Sequence, residues 1–163
     1  MVWGGKKYMK NILNIDDLQN MAKKRVPKMF YEYADSGSWS GETYKANQND
    51  FSNIKFRQRV GVNIENRILS KSFLGKQVSI PLALAPTGLC GMQHYNGEIF
   101  AAQASEEFGV PFTLSTMSIC SIEDVAEATT QPFWFQLYVM RDKVFISNLL
   151  SRAQEAGCNV LQI

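Results

Sequence analysis

Amphipathic, helix-like spacing runs through the first part of the chain. At Pro81 it gives way to short apolar runs that alternate with longer amphipathic ones. Asn14 has the side chain of an N-cap, and Asp16 and Asp17 fall in the turn after it, so a helix is predicted to about Lys24. Pro27 suits the first turn of a second helix through Met29, Phe30, Tyr33 and Ala34, with Gly37 as its stop. A third short helix is expected after Ser40. Residues 54–60 and 72–78 read as extended segments, the second turning at Gly75.

Beyond Pro81 the alternation is strict. Strands are predicted at 82–85, 112–116, 133–138 and 159–163, and helices at 96–108, 122–128 and 143–156, with Gly109 and Gly157 where helix stops belong. Alternating β and α elements specify a parallel sheet with right-handed crossovers. The strands are apolar on both faces, as a sheet between helices and a barrel interior requires. The 83 residues from Pro81 to Ile163 hold about four strands, whereas a complete (β/α)8 barrel takes ~250 residues. We therefore expect an N-terminal helical cap with short extended segments over 1–80. Residues 81–163 are expected to be the first part of a (β/α)8 TIM barrel, broken off in its fourth strand. A doubly wound sheet has no support, because no GxGxxG follows the first strand.

Composition narrows the partners. A formal charge of +2 is too small to argue for nucleic acid, and Lys6, Lys7, Lys10, Lys23 and Lys24 read as a solvated face that touches an anionic membrane weakly at most. No window approaches the ~18 uninterrupted apolar residues of a membrane span, and the start has no signal-peptide core. Cys90, Cys120 and Cys158 are too widely spaced for a zinc site or a disulfide framework, so no metal is expected and a reducing cytoplasm fits.

Candidate chemistry lies at the C-terminal ends of the strands, where barrel enzymes build their sites. The run IPLALAPTGLCG (80–91) empties an apolar strand into a turn of small residues, and Gly88 lets a flat ligand approach the backbone. The next ends supply Ser115, Thr116 and Met117, then Gln136, Leu137 and Tyr138. A period of two puts Trp134, Gln136 and Tyr138 on one face and Phe133, Phe135 and Leu137 on the other. A Gln inside a barrel must find hydrogen-bond partners or cost roughly 1–3 kcal/mol. A ligand with alternating donors and acceptors would satisfy it.

PKMFYEYADSG, FRQRV, IPLALAPTGLCGM, FTLSTMS and FWFQLYVMRD occur in this order. Together they resemble the FMN-dependent α-hydroxy-acid-oxidising enzymes, the group of glycolate oxidase and the bacterial flavin L-lactate dehydrogenases. ALAPTGLCGM and PFTLSTMS look most like the membrane-associated L-lactate dehydrogenase branch. The resemblance runs from about Asn14 to Ile163. It implies that Tyr33 meets the substrate carboxylate and that Ala85, Pro86, Thr87 and Gly88 lie along the flavin ring. It further implies that Ser115 contacts FMN, that Gln136 bonds the pyrimidine edge, that Tyr138 is an active-site tyrosine near the substrate hydroxyl, and that Met117 is a pocket wall. The family's histidine base, clamping arginines and flavin lysine match nothing here. The single histidine, His94, is expected at the surface or in a capping role.

The function this implies is the N-terminal portion of an FMN-dependent L-lactate dehydrogenase, inactive as this chain alone. Its substrate would be a small 2-hydroxy acid and its electron acceptor a quinone or cytochrome. It would sit in the cytoplasm or peripherally on the cytoplasmic face of the inner membrane. Tetramers are common in the family, so a homo-oligomer belongs to the expectation. The rival readings are another FMN-dependent (β/α)8 2-hydroxy-acid oxidase or isomerase, and a non-enzymatic remnant or split fragment.

Overall fold

The computed structural model describes residues 12–163; Lys6, Lys7 and Lys10 lie outside them. The chain divides into two compact units, the first ending at Val62 and the second running from Asn63 to Ile163. The strict strand–helix alternation begins later than this division, at Pro81, because a β-hairpin opens the second unit.

The first unit is helical. Helix α1 (Ile15–Arg25) starts at Asn14, whose side chain accepts from the Asp17 amide at 2.9 Å. It ends on Lys23, Lys24 and Arg25, which complement the helix dipole. Helix α2 (Lys28–Asp35) follows Pro27, and Gln19 Nε2 donates to Asp35 Oδ1 to tie the two helices together. Gly37 does not act as the predicted stop, since α2 closes at Asp35 with Ser36 extended. Its lack of a side chain serves packing instead: a Cβ there would lie 2.7 Å from Tyr44 Cβ, on helix α3 (Glu42–Asn49). A 3-10 turn, Asp50–Asn53, follows. The extended segment predicted at 54–60 joins no strand among the described residues.

The second unit begins with the antiparallel hairpin β1 (Lys71–Phe73) and β2 (Lys76–Val78), paired from Lys71↔Val78 to Phe73↔Lys76. Leu74 and Gly75 both have positive φ, 47° and 80°, the two-residue turn whose twist matches that of flanking strands. Next come the short helix α4 (Cys90–Gln93), which the sequence pattern did not predict, and α5 (Gly97–Phe108). The remaining elements are β3 (Thr113–Ser115), α6 (Ile122–Glu127), β4 (Trp134–Gln136), α7 (Lys143–Glu155) and β5 (Val160–Gln162). β3, β4 and β5 are parallel and adjacent in chain order.

The strand predicted at 82–85 shrinks to a single parallel bridge, Leu84↔Phe112. Prolines on both sides explain it. Leu84 N donates to Pro111 O at 2.8 Å and Thr113 N to Leu84 O at 3.2 Å. The next rung toward the C-terminus needs an N–H from residue 86 and the rung before needs one from residue 111; both are proline.

Helix α5 packs on α6 and α6 on α7, so the helices follow the strands in one direction along one face. That is single winding, without the reversal of a doubly wound sheet. The described residues form a parallel α/β arrangement and not a closed barrel. Phe133, Phe135 and Leu137 enter the core with Leu114, Val125, Leu149 and Ala153. Trp134 takes the opposite face, its ring centroid 5.3 Å from that of Phe73 in the hairpin.

Candidate functional site

Register carries the site. Ser115, Gln136 and Gln162 are successive partners across β3, β4 and β5. They form one row at the C-terminal strand ends, on the face opposite the helix-packed core. Beneath them Thr113, Trp134 and Val160 form a second row.

Ser115 is 3% exposed and Gln136 7%. Ser115 Oγ donates to Gln136 Oε1 at 3.2 Å and accepts from the Met117 amide at 3.1 Å. One end of the Gln136 amide is thus fixed, while Nε2 makes no hydrogen bond to protein among the described residues. Thr116, named from sequence at this strand end but given no role there, binds the same strand end: its hydroxyl donates to Gln136 O at 2.5 Å and accepts from Tyr138 N at 3.1 Å. It therefore sets where Tyr138 leaves the sheet. Tyr138 itself is 54% exposed.

The loop after the Leu84 bridge presents Ala85, Thr87 and Gly88 exposed and Pro86 half-buried. Thr87 Oγ1 reaches only its own loop, at Ala85 O, 3.5 Å away. Gly88 packs closely on the β3 loop: a Cβ would lie 3.1 Å from Met117 Cβ, and Leu89 N donates to Met117 O at 2.9 Å. The loop after the bridge and the loop after β3 therefore stand against each other beside the Ser115–Gln136 pair. Helix α4, which follows the first loop, and the segment after β3 both bind one carboxylate, Glu98 of α5, through the amides of Gly91 and Ile119. Sequence reasoning passed over Glu98. Its only signal was an acidic residue in the first turn of a helix, which ordinarily reads as a dipole partner in solvent.

Tyr33 belongs to the first unit. It is 69% exposed on α2, whereas Tyr31, two residues earlier and on the other side of the helix, is buried. His94 lies exposed beside α4, its Nδ1 2.7 Å from Tyr95 O and its ring edge-on to Phe100. A cavity of about 360 Å³, lined by Val78, Phe112, Phe133 and Trp134 among others, contains none of the expected site residues.

The strand-end side chains of Thr87, Ser115, Thr116, Gln136 and Tyr138 carry no acid–base pair. They can hydrogen-bond and orient a neutral heteroaromatic edge, but they cannot perform redox chemistry themselves. A flavin fits this donor set: Gln136 offers a free, largely buried amide N–H, and the backbone from Ala85 to Gly88 is open for a ring to lie along.

Comparison with known proteins agrees. A family profile described as FMN-dependent dehydrogenase matches residues 22–163. An L-lactate dehydrogenase of Haemophilus influenzae is 47% identical over 150 residues, which cover 92% of this chain and 39% of that protein. The chain thus spans about two fifths of the length of the curated relatives it matches. Among solved structures, the monotopic membrane protein (S)-mandelate dehydrogenase superposes with a TM-score of 0.88 at 35% identity, over 93% of this chain and 40% of that one. A putative lactate oxidase of Pediococcus acidilactici gives 0.87 at 29%, over 93% and 42%.

Proposed function

We propose that this chain, which belongs to the FMN-dependent dehydrogenase family, supplies one wall of a flavin site in an enzyme that oxidises L-lactate to pyruvate. The observation that carries the proposal is the Ser115–Gln136 pair at the ends of adjacent parallel strands, with the amide nitrogen left to donate. FMN, the family's cofactor, supplies the electron-accepting chemistry when bound. Gln136 and Ser115 would hold the polar edge of its ring, and the backbone from Ala85 to Gly88 would support its face.

Tyr138, directed by Thr116, would hydrogen-bond the substrate hydroxyl. Tyr33, 69% exposed on α2, would donate to the substrate carboxylate. The sheet would be the opening part of a (β/α)8 barrel, preceded by the helical cap. No proton acceptor for the substrate lies among these residues, so the 163-residue chain by itself is expected to be inactive. No helix among the described residues is long and apolar enough to cross a membrane. Peripheral membrane contact, supported by the likeness to a monotopic membrane enzyme, and electron transfer to a quinone or cytochrome complete the proposal.

The test is to purify the complete protein, identify and quantify its flavin, and compare kcat/KM for L-lactate, glycolate and (S)-mandelate. One FMN per chain and a preference for L-lactate support the reading. A mandelate or glycolate preference would reassign the substrate; a protein without flavin would end the proposal.

A further inference from the structure

Glu98 is the most deeply buried ionisable side chain among the described residues, at 1% exposed. It stands in the first turn of α5, yet it is not a solvent-facing dipole partner. Its Oε1 accepts from Gly91 N at 3.0 Å and from Ile119 N at 2.9 Å, while Oε2 is buried without a well-aligned donor and the Cys120 thiol lies beside the carboxylate. Gly91 follows the Ala85–Gly88 loop by three residues, and Ile119 follows Met117 by two. One oxygen therefore joins the start of α4, which directly follows the first loop, to the segment after β3, next to the close Gly88–Met117 approach.

The neighbourhood is built to that spacing. A Cβ at Gly91 would lie 2.6 Å from Ile119 Cβ, and one at Gly97 would lie 2.8 Å from Cys90 O. Burial pushes the Glu98 carboxyl up, but amide donors from Ile119, its own backbone and Gly91 outweigh it and hold it below the ordinary carboxylate range. Burial first, and the carboxylate second, push the neighbouring Cys120 thiol up to about 11, so that neighbour remains protonated.

We infer that Glu98 is a positioning residue for the cofactor: an ionised clamp that fixes the first strand-end loop against the β3 loop and so sets where the backbone at Gly88 meets the flavin. This rests on the flavin-site reading above. The clamp acts through backbone amides and touches neither cofactor nor substrate. Burying a carboxylate is costly unless it is hydrogen-bonded, and donors to a charged acceptor are roughly twice as strong as neutral ones. Gln in its place would retain an acceptor for both amides but lose the charge. Ala would leave two buried N–H groups without a partner.

The experiment uses the complete protein with Glu98→Gln and Glu98→Ala, measuring the FMN dissociation constant, the visible spectrum of bound flavin, and hydrogen exchange of peptides containing Gly91 and Ile119. We expect Glu98→Gln to raise the FMN Kd by about 3- to 10-fold with a shifted flavin spectrum. Glu98→Ala should raise it by more than about 10-fold with accelerated exchange in both peptides, the scale of losing bonds to a charged group. Should Glu98→Ala fail to fold, Glu98→Gln decides: a raised Kd with an unchanged melting temperature supports the clamp, and the parent Kd and spectrum overturn it. A folded Glu98→Ala with parent Kd and parent exchange overturns it as well. A parent protein that binds no FMN refutes the proposed function itself, an outcome visible before any variant is compared.

Discussion

Replacing Gln136 by Leu probes the row of strand-end residues most directly. The substitution keeps side-chain bulk in a position that is 7% exposed but removes both ends of the amide. At the Oε1 end, the Ser115 hydroxyl loses its acceptor at 3.2 Å while keeping the Met117 amide as a donor to it. That leaves one hydroxyl proton unpaired in a buried position and costs about 1–3 kcal/mol, part of it offset by the greater apolarity of Leu. At the Nε2 end, one or two hydrogen bonds to cofactor at roughly 0.5–1.5 kcal/mol each are lost, which corresponds to about a 2- to 150-fold rise in Kd. The assay is FMN titration by fluorescence quenching of the apoprotein, with a melting curve of the same sample. We expect weakened flavin binding and a melting temperature within a few degrees of the parent. A folded variant with the parent Kd would refute the assignment of Gln136 to the flavin edge and make the Ser115 bond a purely structural contact.

With FMN content unchanged, Tyr33→Phe should lower kcat/KM for L-lactate by about 10- to 100-fold, the scale of a lost hydrogen bond to a charged group, and Tyr138→Phe, facing a neutral hydroxyl, by about 2- to 10-fold. Parent kinetics in both would return the tyrosines to solvent or packing roles. The Glu123–Arg152 pair, bonded through Nε at 2.8 Å and Nη2 at 2.7 Å, predicts an acid limb in stability. Hydrogen bonding to Arg152 depresses the Glu123 carboxyl from 4.5 to about 2. A depressed folded value means stabilisation present above the unfolded pKa and lost as pH falls from about 4.5 through about 2. Because both side chains are nearly half exposed, the pair contributes no more than about 1 kcal/mol and less in high salt. Arg152→Ala should therefore flatten chemical-denaturation stability over that pH window; an unaltered pH profile contradicts it.

The alternation of period two along β4 was legible because it depends only on side-chain polarity: Phe133, Phe135 and Leu137 went to the core and Trp134 and Gln136 to the other face. The Asn14 cap was legible for the same local reason, its side-chain oxygen and the Asp17 amide lying three residues apart. What sequence missed depends on partners distant in the chain. The first strand failed because Pro111, about 30 residues away, withdraws a donor that Pro86 withdraws on the other side. Gly37 read as a helix stop, yet it is required by a side chain from another element, Tyr44. Glu98 was invisible because its two amide donors lie 7 residues before it and 21 after it. Residues 54–60 had strand-like character but no ladder to join.

The central claim is that a flavin seated on these strand ends takes electrons from a 2-hydroxy acid. Anaerobic rapid mixing of the complete protein with L-lactate, following flavin absorbance, tests it without dependence on the electron acceptor. The account predicts loss of the oxidised-flavin band with saturation in L-lactate, slowed in Tyr138→Phe. A bound flavin that stays oxidised with L-lactate, glycolate and mandelate alike would contradict it.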